Sequence, residues 1–138
     1  MDQSILDYPV RDIMNSPVRT VDYDMAVTDA ARILARDDIG SLVVANGEIE
    51  GIVTESDIVE AVGAEHDTDR MTVGRLMTKT VLTIDSAEPI EVACERMRAN
   101  EVKKLPVTEG EDLVGIVTTT DITRSLVPGL DEVIVSFQ

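Results

Sequence analysis

The sequence contains an internal repeat, and a repeat constrains the fold more tightly than any single motif. Residues 10–22, VRDIMNSPVRTVD, align with residues 73–85, VGRLMTKTVLTID, at an offset of 63 positions. The stretch GIVTESDIV at residues 51–59 returns as GIVTTTDIT at residues 115–123. The chain is therefore expected to fold as two copies of one supersecondary unit.

The pattern within each copy predicts its secondary structure. Each copy has apolar residues at the i, i+3, i+4, i+7 spacing of an amphipathic helix. These are Val27, Ala30, Ala31 and Leu34, which align with Ile90, Ala93, Cys94 and Met97. Two β-branched runs around a Gly-containing turn follow, starting at Ser41 and Lys104, and they predict a β-hairpin. A short apolar-periodic segment after each T-x-x-D, at residues 58–62 and 122–127, predicts a last helix.

The predicted fold class is α/β (α+β), with the order β-α-β-β-α in each copy. Neither copy could bury much surface alone at about 60 residues, so the two are expected to pack about a pseudo-twofold axis. The expected divisions are an N-terminal lead at 1–8, a first motif at 9–64, a connector at 65–72, a second motif at 73–127 and a tail at 128–138. From Leu130 the tail could form one more strand.

The charge balance limits the partners of the chain. Its 138 residues carry a net charge of −15, which would repel a nucleic-acid backbone. Only three basic residues are lysines, and the dense acidic surface is typical of a halophilic protein, with an acidic mesophile protein as the alternative. One cysteine and no leader or membrane-spanning run predict a soluble, cytoplasmic protein that needs no membrane.

The doubled pattern M-x-x-x-V-x-T-[VI]-D, helix, hairpin and G-I-V-T-x-x-D resembles a CBS-domain pair, the tandem called a Bateman module. The resemblance covers roughly residues 9–126. It implies a regulatory ligand-sensing module, not an enzyme, whose clefts between the two motifs bind AMP, ADP, ATP or S-adenosylmethionine. It also implies a homodimer. Such pairs are usually fused to an effector, but this one resembles a stand-alone pair acting on an unknown effector protein in trans.

The carboxylates of the repeated T-x-x-D motif are candidate ribose ligands. Asp57 and Asp121 could each accept hydrogen bonds from two ribose hydroxyls, and helix N-termini nearby would favour a phosphate. The hydroxyl groups that could assist are Thr54, Ser56, Thr118 and Thr120. The alternative is purely structural, because T-x-x-D is also a helix N-terminus signature.

Two lysines distinguish the second copy from the first. Lys103 and Lys104 stand at the entrance of a predicted strand, where they could meet an anionic ligand or pair with surface glutamates. Gly40 and Ser41 occupy these positions in the first copy, so unequal affinities are expected. The family resemblance further implies adenine contacts from Val18, Val81 and Ile39, although all three could equally be core residues.

No catalytic or metal-binding arrangement is predicted. His66 has no second His or nearby Cys, and Cys94 takes the place of the core residue Ala31 in the other copy, which predicts a buried thiol. No cofactor is required on this interpretation. An alternative function is a ligand-free structural or interaction module that dimerises or docks on an effector protein.

Overall fold

The computed structural model describes residues 4–79 and 82–127. Its chain divides into two compact units, and each unit combines pieces of both sequence repeats. The central unit is Arg19–Val81, and the terminal unit joins Met1–Val18 to Leu82–Gln138. The domain boundaries drawn on the repeat do not coincide with these units and stay a prediction.

The central unit contains a four-stranded sheet and three helices. Strand β1 (Thr20–Val21) lies parallel to β2 (Ser41–Asn46), and β3 (Glu48–Thr54) runs antiparallel between β2 and β4 (Thr78–Lys79). The helices are α1 (Val27–Asp37), α2 (Glu55–Gly63) and the single turn α3 (Val73–Leu76). Gly47 closes the β2–β3 hairpin with a positive φ of 77°, a conformation that glycine adopts without steric cost.

The terminal unit repeats most of this plan. Its three-stranded sheet has the order β5 (Ile84–Asp85), β6 (Lys104–Glu109), β7 (Asp112–Thr118), with β5 and β6 parallel. Its helices are α4 (Ile90–Asn100) and α5 (Thr119–Leu126), and two 3-10 turns precede them at Ile5–Asp7 and Val10–Asp12. An isolated antiparallel bridge joins Asn15 to Ile116 of β7, where the central unit has β4 beside β3.

Each unit has its own aliphatic core, assembled from one face of its helix and the middle of its hairpin. In the central unit the predicted helix stripe buries Val27, Ala30 and Leu34 against Leu42 and Val53. In the terminal unit the equivalent residues of α4 join residues of the N-terminal segment, β5, the hairpin and α5. The buried members of this core are Val10, Ile84, Ile90, Ala93, Met97, Leu105, Val107, Val117 and Ile122. The predicted order β-α-β-β-α is confirmed in both repeats.

The glycine that opens each GIVT run permits a close backbone approach. A Cβ on Gly51 would lie 2.6 Å from the Thr78 carbonyl oxygen and 2.8 Å from the Met77 sulfur. A Cβ on Gly115 would lie 2.8 Å from the Asn15 carbonyl oxygen and 2.7 Å from the Met14 sulfur. All four distances are shorter than packed side chains allow, so neither glycine position admits a side chain unless its neighbours move.

Two sequence expectations need correction or fall outside the described residues. The helices after the hairpins start earlier than predicted, at Glu55 and Thr119, because each Thr serves as the N-cap and the Asp lies inside the first turn. The predicted strand in the tail at 128–138 lies outside the described residues. None of the helices in the described part of the chain is long and apolar enough to cross a bilayer.

Candidate functional site

The T-x-x-D motif of the central unit forms a capping box at the start of α2. The Thr54 backbone N–H donates to Asp57 Oδ2 at 2.8 Å, and the Asp57 N–H donates to Thr54 Oγ1 at 3.2 Å. Two backbone donors that would otherwise be unpaired are thereby satisfied. The capping box explains why this motif has a Thr and an Asp, and why the two are three positions apart.

The second T-x-x-D motif makes the same box at the start of α5 and adds two bonds. Thr118 N–H donates to Asp121 Oδ2 at 2.8 Å, and the Thr118 hydroxyl donates to the same oxygen at 2.9 Å. The Asn15 side-chain amide, 106 positions away in sequence, donates to Asp121 Oδ2 at 2.8 Å. Asp121 is consequently buried, at 9% exposure, whereas Asp57 is partly exposed.

The strand entrance expected to meet a ligand phosphate lies directly beside each capping box. In the terminal unit, Lys104 pairs with Thr118 across the hairpin, and Thr119 N–H donates to the Lys103 carbonyl at 3.0 Å. In the central unit, Glu55 N–H donates to the Gly40 carbonyl at 3.1 Å. Each unit therefore brings its strand entrance and its T-x-x-D motif together, and only the terminal unit adds cationic side chains.

The two lysines form none of the surface pairs considered as their alternative role. The ion pairs within the described residues all involve arginine: Arg19–Asp37, Arg32–Asp29, Arg36–Asp37, Arg70–Asp67 and Arg98–Glu95. Lys103 is exposed and Lys104 is half-buried. The described residues therefore provide no ion-pair partner for either lysine, and both lysines follow α4 at the start of the strand that pairs with Thr118.

The remaining candidate contacts divide between the units. Ser56 and Thr120 lie exposed in the first turn of α2 and α5, one position before each aspartate. Ile39 is half-buried and packs against the central core, which is the structural role considered for it. Val18 is half-buried in the terminal unit, and Val81 lies outside the described residues.

The lone cysteine and histidine form no reactive pair. Cys94 packs against the terminal core, where the sequence predicts a buried thiol, but its side chain is only half-buried. Burial raises the pKa of the Cys94 thiol, and Glu95 and Glu91 raise it further, so the thiol stays protonated near neutral pH. His66 is exposed, and within residues 4–79 and 82–127 no three His, Cys, Asp or Glu side chains cluster as metal ligands would.

Asn15 is the functional candidate that sequence reasoning missed. Its only signal in the sequence is its position: it follows Met14 as Thr78 follows Met77, so both repeats have a polar side chain there. Both positions pair with the strand that leads to the T-x-x-D motif, Asn15 with Ile116 and Thr78 with Ile52. The contact with Asp121 depends on the fold and not on any local pattern.

Comparison with characterised proteins identifies the repeat. The CBS domain model matches residues 10–64 and again residues 73–128. Hypoxic response protein 1 of Mycobacterium tuberculosis is 34% identical over 119 residues, which cover 84% of this chain and 83% of that protein. A homoserine O-acetyltransferase of Methanohalobium evestigatum is 32% identical over 118 residues, but this chain spans only 23% of its length.

A solved relative has the same fold. The crystal structure of the CBS domain pair of protein MJ0100, in complex with 5′-methylthioadenosine and S-adenosyl-L-methionine, superposes with a TM-score of 0.73 at 30% sequence identity. The match covers 84% of this chain and 93% of that one. With two matched copies of the model and a shared two-sheet architecture, the chain belongs to the CBS-domain family.

Proposed function

We propose that this CBS-domain pair is a regulatory module that binds adenosine-containing ligands, AMP, ADP, ATP or S-adenosylmethionine, at its two T-x-x-D motifs. The observation that carries the proposal is the duplicated capping box, which fixes a carboxylate beside a helix N-terminus in both units. A solved family member with 30% identity holds two adenosine-containing molecules. On this proposal the chain is a sensor and not an enzyme, and an effector protein responds to its occupancy.

Each motif supplies complementary groups for a nucleoside. Every hydrogen bond that Asp57 and Asp121 accept within the described residues goes to Oδ2, so Oδ1 remains available to a ribose hydroxyl. A hydroxyl bonded to a carboxylate is a charge-assisted bond and is stronger than a neutral one. The first-turn amides of α2 and α5 would favour a phosphate placed at the same helix end.

The two sites should differ in their preference for charge. Lys103 and Lys104 stand beside the Asp121 motif, whereas Gly40 and Ser41 stand beside the Asp57 motif. In a chain of net charge −15, this Lys pair is the local feature that attracts a phosphate. We therefore expect ADP or ATP to give one strong and one weak site, with the strong one in the terminal unit.

Calorimetric titration of the full chain with AMP, ADP, ATP and S-adenosylmethionine tests the proposal. Asp57→Ala and Asp121→Ala should each weaken binding at one site about tenfold or more, because each removes a charge-assisted bond worth about 1.5–3 kcal/mol. Each should also cost about 1 kcal/mol of stability through the lost cap. A loss of stability alone therefore does not distinguish a ligand-binding carboxylate from a helix cap. The change in nucleotide affinity does distinguish them.

Matched controls separate the cap from the ligand contact. Thr54→Ser and Thr118→Ser keep a capping hydroxyl and the carboxylate, so they should retain most of the affinity. If the aspartate variants bind all four compounds as the natural chain does, the carboxylates are helix caps only. If the natural chain releases no heat with any of the four, the nucleotide proposal fails.

The second candidate function is a ligand-free interaction module, and two observations favour it. Both aspartates already have a structural role in their capping boxes. Helix α2 also exposes two apolar side chains, Val59 at 69% and Val62 at 60%, and exposed apolar pairs of this kind are typical of contact surfaces. A chain that dimerises or docks on an effector but ignores all four nucleotides would have this function.

A further inference from the structure

The two T-x-x-D motifs share a capping geometry but have different charged neighbours. In each unit the first amide of the helix after the hairpin donates to the strand entrance. Glu55 N–H donates to the Gly40 carbonyl at 3.1 Å, and Thr119 N–H donates to the Lys103 carbonyl at 3.0 Å. The strand entrance and the first helical residue are therefore direct neighbours, and their side chains contribute to the charge that a ligand at each motif would meet.

The central-unit motif has carboxylates as neighbours. Asp38 is the C-cap of α1, two positions before Gly40, and Glu55 is the first residue of α2. Both side chains are exposed, and neither forms an ion pair within residues 4–79 and 82–127. Together with Asp57, they give this strand entrance and the first turn of α2 three carboxylates and no Lys or Arg.

Two arginines lie close to this segment in the chain or in the sheet, and both pair with one other carboxylate. Arg36 lies 3.3 Å from Asp37 Oδ1, and Arg19 lies 3.5 Å from Asp37 Oδ2. The Arg19 carbonyl accepts from the Val43 N–H at 3.0 Å, which places its backbone beside β2. With this group included, four carboxylates stand against two guanidinium groups, so the excess charge near the central motif stays negative.

The terminal-unit motif has balanced charge at the equivalent positions. Its two carboxylates are Glu101 and Asp121, and its two cations are Lys103 and Lys104. A threonine, Thr119, opens α5 in place of the glutamate that opens α2. The positions equivalent to the two arginines and their shared aspartate are uncharged in this copy: Leu82, Ala99 and Asn100. Local charge therefore distinguishes the two motifs.

We propose that Glu55 is a specificity-determining residue, through which the central-unit site selects adenosine ligands with a positively charged substituent. The chemical class is the sulfonium nucleoside, to which S-adenosylmethionine belongs. The excess of carboxylates would attract a sulfonium ion and repel a phosphate. The terminal-unit site has two lysines and no glutamate at the helix start, so it has no such preference. This inference rests on the proposed adenosine function and assigns a ligand class to one of its two sites.

S-adenosylmethionine and S-adenosylhomocysteine form the matched ligand pair, because they differ only in the methyl group that makes the sulfur a cation. Calorimetric titration of the full chain carrying Asp121→Ala, in which the terminal site is weakened, reports on the central site. At low salt, S-adenosylmethionine should bind this site about five- to tenfold more tightly than S-adenosylhomocysteine. Molar potassium chloride should reduce the ratio, because screening weakens the charge interaction.

Variants assign the preference to Glu55. Glu55→Gln, added to Asp121→Ala, removes the charge and keeps the shape, so the ratio should fall to about twofold or less. Glu48→Gln removes an equal charge at the other end of β3 and should leave the ratio unchanged. In the reverse exchange, Thr119→Glu added to Asp57→Ala should raise the same ratio at the terminal site about threefold. Circular dichroism of each variant verifies the fold.

The outcomes separate this inference from the function on which it rests. If S-adenosylmethionine binds but its advantage is the same with Glu or Gln at position 55, the role of Glu55 is overturned while the adenosine site stands. No advantage over S-adenosylhomocysteine in Asp121→Ala would overturn it as well. If the natural chain releases no heat with AMP, ADP, ATP or S-adenosylmethionine, the proposed function fails and this inference fails with it. A folding defect in Glu55→Gln still leaves Thr119→Glu to decide.

Discussion

At the scale of single residues, the repeated G-I-V-T-x-x-D motif has a structural reason at three of its positions. The Thr and the Asp close a capping box, and the Gly allows the preceding segment to approach the hairpin. The sequence alone gives capping as the alternative to ligand binding for the Thr and the Asp, because capping depends on local spacing. It does not predict the Asn15–Asp121 bond, because that bond joins two segments through the tertiary fold.

The glycine of this motif gives a residue-scale prediction. Gly51→Ala and Gly115→Ala should each lower the free energy of unfolding by about 1–3 kcal/mol, because the added methyl group would overlap a backbone carbonyl oxygen. Urea denaturation followed by circular dichroism measures the change.

Gly63 provides the matched control for these two glycines. It lies at the end of α2 with no atom within 4 Å of an added Cβ, and its φ is negative. Gly63→Ala should therefore stabilise the chain by about 0.4–1 kcal/mol. Equal effects at all three glycines would contradict the close-approach explanation.

At the scale of elements, periodicity predicts the helices and hairpins well and the short pieces poorly. The stripes on α1 and α4 and the two hairpins appear where the apolar spacing placed them. The single-turn α3 and the two-residue strand β4 are not predicted by the sequence, because segments so short carry no measurable period. Strand β4 forms through its pairing with β3, which is a tertiary contact. Helices α2 and α5 start at Glu55 and Thr119, before the predicted residues 58 and 122, because the N-cap of each helix is the Thr of the T-x-x-D motif.

Helix α2 gives the element-scale prediction, which is a homodimer. Val59 and Val62 lie three positions apart, so they share one face of α2, and both are more than half exposed. Burial of this face against a second copy would remove apolar surface from water. Light scattering at micromolar concentration in high salt should give twice the mass of the 15.0 kDa chain.

Surface variants test the role of this face. Val59→Lys together with Val62→Lys should yield a monomer, because two desolvated ammonium groups would oppose association. Glu60→Gln makes a small charge change at an exposed position on the same helix and should leave the dimer intact. A natural chain that is monomeric under these conditions would rule out the homodimer.

At the scale of the whole molecule, the main feature is the net negative charge. The chain carries a net charge of −15. The ion pairs within the described residues are few, and most of them join residues no more than three positions apart. Exposed pairs of this kind contribute little to stability. Ion pairs among the described residues therefore offset little of the repulsion between the acidic side chains.

Salt should accordingly stabilise the fold. Screening shortens the range of repulsion between exposed carboxylates, so the melting temperature should rise by about 5 °C or more between dilute buffer and molar potassium chloride. Differential scanning calorimetry across this range measures the effect. A melting temperature that does not change with salt would indicate an acidic protein adapted to ordinary salt.

The central claim is that the repeated T-x-x-D motif binds a nucleoside, and a crystal structure of the full chain grown with AMP tests it most directly. The claim predicts electron density for a ribose whose hydroxyls lie within hydrogen-bond distance, about 2.5–3.0 Å, of Asp121 Oδ1, and of the Asp57 carboxylate at a second site if both are filled. Well-ordered density for Thr54 and Asp57 in their capping box, with no nucleotide at either motif at saturating AMP, would contradict it.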